Sequence, residues 1–198
     1  MNQSAKITFV LLFAALFTLP AMAQIKVNPK VGVNFSGIES QLNDITAEAR
    51  VGWNAGVDFR MGDGLFFLQP GAHYYNYTAR LLQNVERPDD VAFEEETTIQ
   101  SIKAPVNLGL RITGDNGLLG IHIKGGVTPT YILGVDEKEG FAFSKEQLNN
   151  FTWGANAGVG VDFLFLTVDA NYEMGLNDFF TGAEGANNIL TLNVGLKF

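Results

Sequence analysis

From residue 30 to the C-terminus, apolar positions alternate with polar or glycine positions, the period of two expected of β-strands with unlike faces. Residues 51–61 place Val51, Trp53, Ala55, Val57, Phe59 and Met61 on one face and Gly52, Asn54, Gly56, Asp58 and Arg60 on the other. Residues 102–112 set Ile102, Ala104, Val106, Leu108, Leu110 and Ile112 against Lys103, Asn107, Gly109 and Arg111. Residues 151–163 oppose Phe151, Trp153, Val159, Val161 and Phe163 to Thr152, Asn156, Gly158, Gly160 and Asp162. Residues 166–176 oppose Leu166, Val168, Tyr172 and Met174 to Thr167, Asp169, Asn171 and Glu173, and residues 190–198 end the chain in the same manner. Segments 30–36 and 119–133 alternate as well, the latter with His122 and Lys124 on its polar face. Segment 65–82 is apolar enough for a strand, but its phase is ambiguous around Tyr74-Tyr75-Asn76-Tyr77. The pattern therefore predicts eight strands. Several exceed the about 5–6 residues usual in soluble sheets and match the roughly 9–11 that cross a tilted bilayer path.

The connections alternate in length. Gly62-Asp63-Gly64, Gly114-Asp115-Asn116-Gly117 and Leu164-Phe165 are tight turns. Segments 38–49, 83–97, 136–149 and 178–187 are long. Short turns on one rim and long loops on the other are the arrangement of outer-membrane barrels. An even strand count puts both ends of the barrel chain at the short-turn rim, which would be periplasmic.

The first residues fall outside this pattern. Lys6, the apolar run 7–19, Pro20 and the small residues of Ala21-Met22-Ala23 read as a secretory signal cleaved before Gln24. This divides the chain into a signal peptide, 1–23, and a single barrel domain, 24–198. The apolar run is too short for a spanning helix, which needs about 20 residues. Cysteine is absent, so disulfides and an N-terminal lipid on cysteine are unavailable. A formal charge of −8 argues against nucleic acid as a partner. Charged residues make up only 17% of the chain, while it holds 22 glycines and 16 phenylalanines, which a water-covered surface would not favour.

Alternation alone does not say which face points outward. A soluble lipocalin-like binder would turn the apolar face inward around a ligand. Here the polar face is built of Gly, Asn, Thr and few charges, which suits a narrow lumen where glycine makes room for Arg60, Arg111, Lys103 or Lys124. Trp53, Phe59, Phe151, Trp153, Phe163 and Tyr172 near strand ends suit interfacial girdles. The expected fold is thus all-β, an eight-stranded antiparallel up-and-down transmembrane barrel.

Phe198 closes the last strand on an outward position and looks like the signal read by the barrel-insertion machinery. Pro29-Lys30-Val31-Gly32-Val33-Asn34-Phe35-Ser36-Gly37, Ile102-Lys103-Ala104-Pro105-Val106-Asn107-Leu108-Gly109, Gly158-Val159-Gly160-Val161-Asp162 and Asn193-Val194-Gly195-Leu196-Lys197-Phe198 resemble strands of the PorT-like outer-membrane β-barrel family of Bacteroidota. The resemblance implies the fold, an outer-membrane location and, as in some relatives, assistance to secretion or surface assembly. The strongly acidic connection at 83–97 departs from that pattern.

Candidate chemistry is confined to three places. The polar face carries Lys30, Asp58, Arg60, Lys103, Arg111, His122, Lys124, Asp162, Asp169, Glu173 and Lys197. In a narrow lumen such groups must pair, because an isolated buried charge is costly. Either they plug the barrel or they line a narrow pore. His73 and His122 are the only histidines, and neither has a nucleophile or ligand set at a recognisable spacing, so no enzyme, metal or cofactor is expected. Glu86, Asp89, Asp90, Glu94, Glu95 and Glu96 form the acidic stretch, which reads as a solvated loop or as a contact with lipopolysaccharide, through divalent cations, or with a basic partner.

Overall fold

The computed structural model describes residues 25–38, 45–48, 50–83, 94–113, 118–135, 149–177 and 187–198. They form strands β1 (Ile25–Ile38), β2 (Ile45–Glu48), β3 (Arg50–Met61), β4 (Phe66–Gln83), β5 (Glu94–Lys103), β6 (Val106–Arg111), β7 (Leu119–Val135), β8 (Phe151–Phe163), β9 (Leu166–Gly175) and β10 (Asn187–Leu196). β2 leads into β3, and β5 leads into β6 across Ala104-Pro105, so the ten strands make eight staves of one closed antiparallel barrel. Each stave pairs with its neighbours in sequence. The first and last meet from Lys30↔Gly195 to Ile38↔Asn187. Val27 and Phe198 exchange both backbone hydrogen bonds, at 3.0 and 2.9 Å, and complete the closure. A closed barrel leaves no ladder edge in the hydrocarbon, where an unpaired backbone group costs several kcal/mol.

The apolar face points outward. Val31 and Leu108 are each 62% exposed, whereas Asp169 is fully buried and Arg60 is 1% exposed. That inside-out arrangement excludes the soluble lipocalin-like alternative, whose lumen would be apolar. All six aromatics of the expected girdles lie on the outer surface. The phase of β4 resolves with Tyr75 and Tyr77 inward and Tyr74 outward, its ring 5.4 Å from that of Trp53.

The strands outrun the apolar alternation. β1 begins at Ile25, and residues 94–97, expected in a long connection, belong to β5 and pair with β4, Arg80 lying opposite Glu96. On the other side of β4, Arg80 lies opposite Glu48 of β2. Glu94, Glu95, Glu96 and Thr97 carry no apolar alternation that would mark them as strand. The expected leader at 1–23, the expected turn at 114–117, segments 39–44, 136–148 and 178–186, and the acidic residues Glu86, Asp89 and Asp90 lie outside the described residues.

Two tight turns need unusual backbone. Gly62 turns between β3 and β4 at φ 113, accessible to glycine at little cost. Leu164 adopts φ 54 in the two-residue link between β8 and β9, which lets the twisted strands meet directly.

Candidate functional site

The candidate site is the lumen, where inward side chains of all eight staves meet. At the short-turn end Arg111 caps the β3–β4 turn, its guanidinium donating to the carbonyls of Gly62, at 2.6 Å, and Gly64. The Phe67 ring lies beside two guanidinium groups, with Arg60 and Arg111 4.8 and 4.9 Å from its centroid. This arrangement places cations on the electron-rich face of an aromatic ring.

Deeper in, Asp162 accepts from Arg60 Nη1 at 2.6 Å, from Lys197 Nζ at 3.1 Å and from the Thr167 hydroxyl. Asp169 then binds Lys30 at 2.5 Å and Lys124 at 2.8 Å, while the same Lys30 reaches Asp58 at 2.7 Å. Asp58 also accepts from Gln69 Nε2 and meets His73 Nε2, both at 2.8 Å. That nitrogen must carry the proton, since a carboxylate can only accept. His122 Nε2 lies 3.1 Å from Arg60 Nη2 and 3.2 Å from Asp169 Oδ1. The guanidinium can only donate and the carboxylate can only accept, so a neutral imidazole serves one of them at a time.

Above this layer is a cavity of about 40 Å³, lined among others by His73, Tyr75, Lys103, Pro105, Lys124 and Asn193. At the 10–15 Å³ or so that one water's centre requires, it has room for a few waters. Lys103 and Glu173, 2.5 Å apart, border this cavity and a smaller one nearer the long-connection rim. Beyond them apolar side chains join the buried set: Tyr77, Ile99, Ile132 and Ile189 are each at most 1% exposed, beside the buried pair Ser36 and Asn187.

All the ionisable residues singled out from the alternation face the lumen, and the ion pairs join ten of them: Lys30, Asp58, Arg60, Lys124, Asp162, Asp169 and Lys197 with His122 in one group, and Lys103 with Glu173 apart. Arg111 lies against the turn carbonyls and Phe67. Inward glycines do accommodate large groups, but the side chains nearest them differ from those expected. Phe67 lies over Gly109, His122 and Asp169 over Gly160, and Glu173 over Gly154. Asparagine is a second such partner. Asn34 faces Gly52 across the ladder, Asn193 faces Gly32, Asn107 faces Gly126 and Asn171 faces Gly158. In each pair the amide oxygen occupies the space a Cβ on the glycine would need. A one-residue slip would turn these amides into lipid, so the pairs hold the register.

The apolar lumen residues Phe67, Tyr75, Tyr77, Ile99, Ile132 and Ile189 had not been singled out. The structure sets Phe67, Gln69, His73, Tyr75 and Tyr77 on one parity, and likewise Ile189, Thr191 and Asn193. An apolar residue on the polar face looks like a lapse in alternation, which hid them.

The sequence model of the family described as outer membrane protein beta-barrel domain matches residues 13–181. Among solved structures, Neisserial surface protein A is similar at 14% identity and TM-score 0.52, covering 89% of this chain and 99% of that one. The outer membrane protein OprG from Pseudomonas aeruginosa is similar at 12% identity and TM-score 0.54, covering 89% and 96%. At such identities the likeness concerns the fold. No curated protein matches the sequence.

Proposed function

This chain belongs to the outer membrane protein beta-barrel domain family, and from that premise we propose that it is a closed, non-enzymatic wall element of the outer membrane that acts through its rims. The observation that carries this reading is the chain Asp58–Lys30–Asp169–Lys124, four buried charges from four staves, β3, β1, β9 and β7, joined across the lumen by successive contacts of 2.5–2.8 Å. Ions would have to break these contacts to pass. The long-connection rim is then extracellular, facing lipopolysaccharide and any surface or secreted protein partner, and both barrel ends are periplasmic. The likeness of the first and last strands to PorT-like barrels supports assistance to secretion as the role of those rims. Outward Phe198, hydrogen-bonded into the barrel closure, supports recognition by the insertion machinery.

Planar-bilayer recording tests the plug. The purified barrel should give no stable conductance steps in the wild type, and steps should emerge when Asp58, Asp169, Lys30 and Lys124 are all replaced by alanine. Stable open channels in the wild type would instead make it a narrow pore.

A further inference from the structure

Proline lacks an N–H and is normally kept out of central strands, yet three adjacent staves carry one at nearly the same level. Pro70 lies in β4, Pro105 between β5 and β6, and Pro129 in β7. The registers place them within three successive rows of the ladder. Pro129 stands opposite Ala104 by extension of Lys103↔Thr130, Pro105 opposite Gly71, and Pro70 opposite Val106.

Directly opposed antiparallel residues of the hydrogen-bonded kind exchange two backbone bonds. Here each pair keeps one. Gly71 N–H donates to Pro105 O at 2.8 Å and Ala104 N–H to Pro129 O at 3.0 Å, but neither proline can return the bond. On the other side of β4 the paired register runs from Trp53↔Asn76 to Asp58↔Gly71, resumes at Met61↔Leu68, and omits Phe59 and Arg60 opposite Pro70 and Gln69. A further irregularity between Gln100 and Ser101 offsets β5 against β7. By contrast β8 and β9 pair without interruption from Gly154↔Gly175 to Phe163↔Leu166. Behind the weakened rows lies the 40 Å³ polar cavity, with Pro105 in its wall beside Lys103 and Asn107. In front of them the outer surface is low, formed by Ala72, Ala104, Pro70 and Pro129.

We propose that the sector β4 – β5/β6 – β7 is a lateral seam of the barrel: it opens locally far more often than the rest of the wall, and the opening joins the Lys103-side cavity to the bilayer. The seam is a property of the wall and is independent of whether the lumen conducts along its axis. The missing rungs lower the local opening free energy, and the cavity supplies polar groups and space to receive the freed carbonyls of Gly71 and Ala104. The β8–β9 ladder has no such missing rung.

Hydrogen–deuterium exchange of the full-length barrel in lipid nanodiscs tests this. Peptides covering 71–73, 104–107 and 127–130 should exchange at least about tenfold faster than the matched rows of β8 and β9, the rate ratio that one lost hydrogen bond can produce. Replacing Pro105→Val and Pro129→Val returns two donors and should slow the amides of Gly71 and Ala104 towards the β8–β9 rate. Because these replacements could be ill-packed, a second variant pair, Ala72→Cys with Ala104→Cys, closes the same rows by a disulfide. These residues lie opposite each other at a non-hydrogen-bonded position, where side chains approach most closely. Oxidation should slow exchange across the seam, and reduction should restore it. Equal exchange rates in the two sectors of the wild type, or seam rates unmoved by both proline replacement and the disulfide, would overturn the proposal.

Discussion

Replacing Asp169 by asparagine keeps the shape of the side chain and removes one charge from the most crowded point of the lumen. The carboxylate is fully buried and lies 2.5 Å from Lys30, 2.8 Å from Lys124 and 3.2 Å from His122. At an effective dielectric of about 20, a unit pair at such distances attracts by roughly 6 kcal/mol. Two lysines give a gross attraction of about 12 kcal/mol, most of which offsets the desolvation of three ions. The substitution removes the attraction while both ammonium groups stay buried, and only Lys30 retains a carboxylate partner, Asp58. Breaking a buried pair in this way costs about 3–5 kcal/mol. Urea unfolding in lipid vesicles, followed by tryptophan fluorescence and by heat-modifiable gel mobility, reads the change. Asp169→Asn should lower stability by that amount, whereas Asp169→Asn with Lys124→Met should recover part of the loss because the surplus ammonium is gone. A single variant within about 1 kcal/mol of the wild type, or a double variant with strictly additive losses, would refute the view that these charges are held by mutual pairing.

Other changes probe the remaining layers. Gly109→Ala places a methyl inside the space of the Phe67 ring and should cost about 1–3 kcal/mol by displacing that ring from the two arginines, read by the same unfolding assay. Val159→Arg, outward and midway along β8 between Trp153 and Phe163, should cost about 2–4 kcal/mol in vesicles, while the variant Thr152→Ser on the lumen side should stay near the wild type. Deleting Phe198 removes both backbone bonds to Val27 and the terminal outward aromatic, so the fraction of boiling-sensitive, membrane-extracted barrel in cells should fall several-fold while refolding in detergent persists.

The strands were legible because one physical difference, lipid on one side and packed polar groups on the other, is repeated at every second residue. Val51 to Met61 shows it plainly. The readable region ended where that difference ended. The pairing of Glu94, Glu95 and Glu96 with β4 left no apolar mark in β5. Pro105 divided a stave that looked continuous, since side-chain alternation carries no information about backbone donors. Within the lumen the sequence named the charged residues through their parity but not their partners.

The sequence by itself determined the architecture and the orientation of its faces: eight alternating segments, a glycine- and asparagine-rich inner face, and aromatic outer positions near the strand ends. Only the tertiary structure decided who meets whom across the lumen. Lys30 and Asp169 are far apart in the chain, and nothing in their local pattern distinguishes that pairing from Lys30 with Asp162 or Lys124 with Glu173. Barrel closure and strand register select among them, because both are set by the sum of all ladders at once. A periodicity is local and survives in the sequence, whereas a contact across the barrel depends on the relative stagger of every stave between its two ends.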